Sequence, residues 1–290
     1  MAVSPGSTSI GLVGLGNLGL PLACTLMRAG WDLTVLDTRP EPVQACVEHG
    51  ATAAKDRADL VDCDVLVLVV PDDAAVRGVL EGPGGHLDGS CEGRAVIVHS
   101  TVLPETARQL AEVAAERGVD LLDAPVSGGS DRAASGELTV MVGGDDGALE
   151  RLRPLLETVG DDVIHVGPAG AGAAAKLANQ LAMFANLAGL HEALDLAAAH
   201  GVAPEPLLAV LATSTGDSWV ARNWGFFDRT AAAYDAGGTP VAARPWSKDL
   251  DEIVQAARTV EVPVPLAGWL AQTVAARVEA HAAKANGGDR

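Results

Sequence analysis

Residues Ile10–Gly19 read IGLVGLGNLG: a short apolar run leads into Gly14-x-Gly16-x-x-Gly19, with Asn17 and Leu18 before the last glycine. A helix-compatible segment, Pro21 to Met27, follows, so the order is strand, glycine turn, helix. In such a turn the first glycine permits the sharp bend and the second lets a pyrophosphate approach. The third lets helix and strand close up. The pyrophosphate would rest on unpaired N–H groups at the helix N-terminus, where the helix dipole favours negative charge. Glycine-rich turns are common, but the next segment supports this one. DLTVLD, Asp32–Asp37, reads as a second strand ending in an acid about twenty residues after the glycines. The Asp37 carboxylate can accept hydrogen bonds from both hydroxyls of an adenosine ribose and would repel a 2′-phosphate, which favours NAD. Arg39, two residues on, could instead hold that phosphate and admit NADP.

The same alternation continues. Pro40–His49 reads as a helix and Ala51–Ala53 as a short strand; DVLVLVV, Asp64–Val70, is a continuous apolar run closed by Pro71. Runs of that kind are expected of parallel strands covered on both faces. Ala95–Val98 is another, then Thr106–Arg117 as a helix and Val119–Leu122 and Leu138–Val142 as later strands. This rhythm predicts a doubly wound α/β domain with ligand at the carboxyl ends of its strands. At Gly167–Gly172 the character changes to alanine-rich and helical. The expected domains are therefore 1–168, a Rossmann-type α/β unit, and 169–290, all helical. In the second, Ala173–His200 can run as one long helix, followed by Pro204–Ala212, Lys248–Thr259 and Leu266–Ala282, with a frayed KANGGDR tail. The long helix is apolar nearly all round, which predicts burial between domains or against a partner and hence a homodimer or homotetramer.

Composition narrows the function. With 290 residues, 48% hydrophobic, the chain can bury a sizeable core. A formal net charge of −18 opposes binding to nucleic acid or anionic lipid, so a pocket for an anion must supply its own positive charge. The N-terminus lacks the pattern of a signal peptide and no apolar run suits a membrane span, so a cytoplasmic protein is expected. Cys24, Cys46, Cys63 and Cys91 form no CxxC, the histidines form no HExxH, and reduced, mostly buried thiols with no metal are the expectation.

Two constellations carry chemistry. Lys176 lies near the start of the long apolar helix, with Asn179 one turn later on the same face. A buried ammonium is costly to desolvate, and where one survives it suits proton donation and acceptance. Spacing alone leaves a second reading, a lysine snorkelling from a helix start. The other constellation is Asp123-Ala-Pro-Val-Ser127-Gly128-Gly129, where two glycines after a serine offer close approach and free N–H donors to a carboxylate.

Taken in order, IGLVGLGNLG, HSTVLP (99–104), DAPVSGG (123–129), GELTVMVGG (136–144), GAGAAAKLANQ (170–180) and SKDLDEI (247–253) resemble the β-hydroxyacid dehydrogenases across nearly the whole chain. That family includes 3-hydroxyisobutyrate dehydrogenases and tartronate semialdehyde reductases. The resemblance implies hydride transfer between NAD or NADP and a small 3-hydroxyacid. It implies Lys176 as the catalytic lysine that protonates the carbonyl oxygen during reduction. Ser127, Gly128 and Gly129 would hold the substrate carboxylate, and Asn179 would contact substrate. Val70, Pro71 and Thr101 would lie along the cofactor, with Lys248 contributed from the helical domain.

Some positions depart from the family. Val98 stands where an acid is common, which alters the support expected for Thr101, and Gln180 replaces the second asparagine of Asn-Asn, as in tartronate semialdehyde reductases. Residues 218–246 are idiosyncratic, with Trp219, Arg222, Trp224 and Trp246 either substrate-facing or, for the tryptophans, core, and for Arg222 a solvated charge. Two rival functions remain open at this level, an imine reductase and a non-catalytic nucleotide-binding scaffold; Lys176 argues against the first, and Lys176 with Asn179 against the second.

Overall fold

A computed structural model describes residues 2–82, 84–88 and 91–287. Two compact units divide it, Met1–Lys176 and Leu177–Arg290. The division falls further along than the 168/169 boundary expected from the glycine-rich segment, because the first turn of the long helix is tied to the sheet unit by the Asp123 side chain.

The first unit contains strands β1 (Ser9–Val13), β2 (Asp32–Leu36), β3 (Thr52–Ala53), β4 (Val65–Leu68), β5 (Ala95–Val98), β6 (Asp120–Asp123), β7 (Val126–Ser127), β8 (Thr139–Gly143) and β9 (Asp162–Gly167). Between them run helices α1 (Gly19–Arg28), α2 (Pro40–Glu48), α3 (Asp73–Leu80), α4 (Pro104–Ala115), α5 (Gly129–Ser135) and α6 (Asp146–Val159). Strand order is β3-β2-β1-β4-β5-β6-β8-β7, with β9 beside β8. The strands from β3 to β6 are parallel; β8 runs antiparallel to β6 and β7. This is the doubly wound Rossmann arrangement. The chain steps outward one way from β1 and then the other from β4, so the switch point lies between these two strands.

Burial explains why the central strands read as unbroken apolar runs. Every residue of β4 and β5 is buried, as expected with helices on both faces. One core lies under α1 and α6 around Leu12, Leu22, Val67 and Leu152, the other under α3 and α4 around Leu66, Leu80, Val96 and Leu110. Cys46, Cys63 and Cys91 are buried and Cys24 partly so, all as free thiols. Burial pushes the Cys46 and Cys63 thiols up to about 11, so neither is a ready nucleophile.

The helix α7 (Ala171–Ala199) leads into α8 (Pro204–Leu211), α9 (Trp219–Arg222), α10 (Phe226–Ala236), α11 (Pro245–Thr259) and α12 (Pro265–Ala285). Within a single chain, α7 is not covered all round. A helical stripe, Leu177, Phe184, Leu187 and Leu190, is buried in the core of the second unit, with Leu181, Met183 and Leu194 packed against it, while Leu196 is 64% exposed. Alanines account for the difference: they read as apolar in sequence but tolerate solvent at little cost. Helix α12 continues to Ala285, past the expected Ala282, and residues 288–290 of the expected frayed tail lie outside the described residues. No helix among the described residues is long and apolar enough to cross a membrane.

Candidate active site

The carboxyl ends of β1, β2, β4, β5 and β6 share one edge, and the first unit's candidate residues gather there. At the end of β1, the Gly14 N–H donates to the Leu36 carbonyl at 2.9 Å and Gly14 takes a φ of 96°. A Cβ on Gly14 would lie 2.3 Å from the Val69 carbonyl oxygen, and one on Gly19 would lie 1.9 Å from the Gly14 oxygen, so the turn is closed against both neighbours. Gly16 differs: a Cβ there would meet open space. Helix α1 starts from this turn with no described side chain capping Leu18 and no acid in its first turn. Open space over Gly16 beside an uncapped helix N-terminus is what a dinucleotide pyrophosphate requires, so the residues fit the cofactor.

Asp37, just past β2, faces that turn. Its Oδ2 accepts the Leu15 N–H at 2.6 Å and its Oδ1 accepts the Arg39 N–H at 2.9 Å and Nε–H at 3.2 Å. Burial works to raise this carboxyl, and the N–H groups of Arg39 and Leu15, with the Arg39 guanidinium, more than offset it, so its pKa lies below the ordinary value. Arg39 also donates to the Leu15 carbonyl at 3.2 Å. At the ends of β4 and β5, the Val70 N–H donates to the Ser100 hydroxyl at 2.9 Å, which joins the Val70-Pro71 segment to the loop carrying Thr101. The His99 ring meets the Ala124 carbonyl at 2.6 Å beneath this edge.

Beyond β6 lies the serine–glycine loop. Ser127 ends the short strand β7, Gly128 takes a φ of 137° and Gly129 one of 74°, conformations that favour glycine. A Cβ on Gly128 would lie 2.9 Å from Cβ of Arg132. Lys176 comes to this loop: 9% exposed, its Nζ donates to the Val126 carbonyl at 2.9 Å, one residue before Ser127. The snorkelling alternative therefore fails, since the ammonium turns inward.

Sequence reasoning gave no role to Asp123, whose carboxylate is fully buried at the end of β6 and accepts the Gly170 N–H at 2.8 Å and the Ala173 N–H at 2.8 Å. Burial raises its pKa above the ordinary value, and the donated N–H groups of Gly170, Ala173, Asp123 itself and Gly172 work the other way. An acid closing the strand DLLD, directly after two buried leucines, was the available signal.

In the second unit, Gln180 donates from Nε2 to Asp249 Oδ2 at 2.6 Å, and Asn179 Nδ2 lies 3.4 Å from Gln180 Oε1. Lys248 is 3.2 Å from Asp249 Oδ1 and 2.8 Å from Glu252 Oε1. Burial alone would lower the Lys248 pKa, but the two carboxylates raise it, so the ammonium stays charged. Thus Asn179, Gln180, Asp249 and Lys248 form one polar network. Gln180 and Asp249 were not expected to meet.

The idiosyncratic stretch resolves mainly as structure. Trp246 is 0% exposed and lies against Phe227 and Tyr234, its Nε1 donating to Glu279 at 2.8 Å, so it is core rather than substrate-facing. Trp224 stacks edge-on with His191 and His281. Arg222 pairs with Asp217 at 3.1 Å on the surface, and Trp219 is partly exposed.

A sequence model of the NAD-binding domain of 6-phosphogluconate dehydrogenase matches residues 9–167. A second, described as the NAD-binding region of NADP-dependent 3-hydroxyisobutyrate dehydrogenase, matches residues 170–289. The chain is 37% identical to the NAD-dependent L-serine dehydrogenase of Pseudomonas aeruginosa, covering 89% of this chain and 88% of that one. It is 36% identical to 3-hydroxyisobutyrate dehydrogenase of the same organism, over 92% and 91% of the two chains. Among solved structures, Mycobacterium tuberculosis 3-hydroxyisobutyrate dehydrogenase with L-serine superposes with a TM-score of 0.78 at 31% identity, covering 94% of each chain.

Proposed function

The chain belongs to the β-hydroxyacid dehydrogenase family, oxidoreductases that move a hydride between NAD(P) and a small hydroxyacid, and on that premise we propose how its residues divide the work. Ser127, Gly128 and Gly129 hold the carboxylate of a 3-hydroxyacid, and Lys176 exchanges the proton at the oxygen on C3. One observation carries this reading: the inward-turned Lys176 ammonium, 2.9 Å from the Val126 carbonyl and beside that loop. The nicotinamide, when bound, supplies or accepts the hydride. During reduction the Lys176 ammonium donates its proton to the carbonyl oxygen; during oxidation the neutral amine takes the hydroxyl proton. Gripping the carboxylate at a fixed distance from the lysine provides orientation, and the ammonium offsets charge developing on oxygen.

Gly14, Gly16, Asn17, Leu18 and Gly19 bind the pyrophosphate, Val70, Pro71 and Thr101 line the cofactor's path, and Asp37 favours NAD. Asn179 is proposed to contact substrate and Lys248 the cofactor, as the family resemblance implies. A homodimer or homotetramer in the cytoplasm completes the proposal, supported by free thiols and by exposed Leu196, Val210, Val260 and Trp269.

The test is reduced-nicotinamide absorbance with purified protein, NAD or NADP, and a panel of 3-hydroxyacids that includes L-serine and 3-hydroxyisobutyrate, with imines as controls. Turnover of a 3-hydroxyacid that disappears in Lys176→Ala, with cofactor affinity retained, supports the proposal. Turnover of imines alone, or full activity in Lys176→Ala, overturns it.

A further inference from the structure

The stretch Asp123–Val126 grips the first two turns of α7 at two points. At one end, each Asp123 carboxylate oxygen accepts a backbone N–H from the start of that helix, Gly170 at 2.8 Å on Oδ1 and Ala173 at 2.8 Å on Oδ2. At the other, the Val126 carbonyl accepts from Lys176 Nζ at 2.9 Å. Ala173 and Lys176 are three residues apart, so backbone grip and side-chain grip fall on neighbouring positions of one helix face. Ser127 follows directly. The surroundings are shaped to this carboxylate: a Cβ on Gly143 would lie 2.6 Å from Asp123 Oδ1, and one on Gly172 would lie 2.3 Å from the Asp123 carbonyl oxygen.

We propose that Asp123 is a positioning residue for the proton-transfer step: it locks the first turn of α7 to the strand that carries the serine–glycine loop, which fixes the distance from the Lys176 ammonium to the substrate oxygen. The inference rests on the proton-transfer role proposed for Lys176. A carboxylate is needed because it accepts on both oxygens. An asparagine of the same shape offers one acceptor and turns an N–H₂ toward the other backbone N–H, donor against donor. The first-unit residues proposed for the cofactor lie at the ends of β1, β2, β4 and β5, so Asp123 is expected to act on the chemical step and not on cofactor affinity.

The test compares Asp123→Asn, Lys176→Ala and the double variant by single-turnover rates at saturating cofactor and substrate, with NADH affinity measured alongside. Asp123→Asn should lower the wild-type rate on the order of tenfold to a hundredfold while NADH affinity stays within about twofold, and should leave the residual rate of Lys176→Ala unchanged, since groups acting as one unit are not additive. A full rate in Asp123→Asn overturns the inference. So does an equal slowing of wild type and Lys176→Ala, which would mean that Asp123 acts independently of the lysine. Full activity in Lys176→Ala alone instead overturns the premise, and is told apart by that single variant. A folded Asp123→Asn that loses NADH affinity also overturns it; should Asp123→Asn fail to fold, Gly143→Ala, whose new methyl would lie 2.6 Å from Asp123 Oδ1, replaces it in the same comparison and should give the same non-additive pattern.

Discussion

Gly19 sits so close over Gly14 that a Cβ on the first would lie 1.9 Å from the carbonyl oxygen of the second, whereas a Cβ on Gly16, between them in sequence, would touch nothing. Two glycines of one motif are therefore constrained differently, Gly19 by the fold itself and Gly16, on the proposed reading, by the ligand. Gly19→Ala should destabilise the protein by roughly 2 kcal/mol through overpacking. Gly16→Ala should leave the melting temperature unchanged and weaken NADH binding about tenfold or more, by filling the space a pyrophosphate needs. Calorimetry and a fluorescence titration read the two effects. Unchanged NADH affinity in Gly16→Ala would count against the cofactor placement.

Asp37 should decide between NAD and NADP. Asp37→Ala is expected to lower the ratio of kcat/KM for NAD over NADP about tenfold or more, and to raise KM for both, because the Leu15 N–H loses its 2.6 Å acceptor. An unchanged ratio would contradict the NAD preference.

His99 makes stability depend on pH. Burial, partly opposed by the hydrogen bond to the Ala124 carbonyl, holds its imidazole down at about 4 against 6.5 when exposed. The folded protein thus refuses a proton that the unfolded chain accepts. Stability from this group is fully present above pH 6.5 and is lost as pH falls toward 4, by roughly 3 kcal/mol in all. Urea unfolding at pH 7 and pH 4.5 should show a smaller loss in His99→Asn than in wild type; equal losses would show that His99 is not the titrating group.

Arg244 is a buried cation whose hydrogen-bond partners are carboxylate or carbonyl oxygens, with the rings of Tyr234 and Trp246 each 5.9 Å from its Cζ. It reaches both Glu279 oxygens at 2.9 Å, Asp235 at 2.5 Å and the Thr239 carbonyl at 2.9 Å. Arg244→Ala strands the mostly covered Glu279 and should cost roughly 3–5 kcal/mol, visible as a lowered urea midpoint. A change under about 1 kcal/mol would mean that water replaces the guanidinium freely.

What the sequence disclosed follows the range of the interactions. The strand–glycine–helix unit, β4 and β5 were legible because their signal is local: an unbroken apolar run or a glycine spacing. β9, DVIHVG, was not, since it lies outermost beside β8 and four of its six residues are exposed, which removes the core pattern. α5 opens on a glycine and has only seven residues, and α6 carries Pro154 in its interior, so neither presents a clean helical signature. At the candidate site, the glycine turn could be read from spacing, whereas spacing left Lys176 open between a buried and a snorkelling side chain and only the family resemblance singled it out. The Asp123 clamp could not, because it joins residues 47 and 50 positions apart, nor could the Gln180–Asp249 bond, which spans 69. Such contacts are set by how the chain returns on itself.

The Leu15–Asp37 hydrogen bond has a consequence for redesign. A side chain that braces the glycine turn, and on the proposed reading also selects the ribose, is not an independent dial. Exchanging it to change cofactor also loosens the loop that receives any dinucleotide, so a successful swap needs a second substitution that restores an acceptor for the Leu15 N–H.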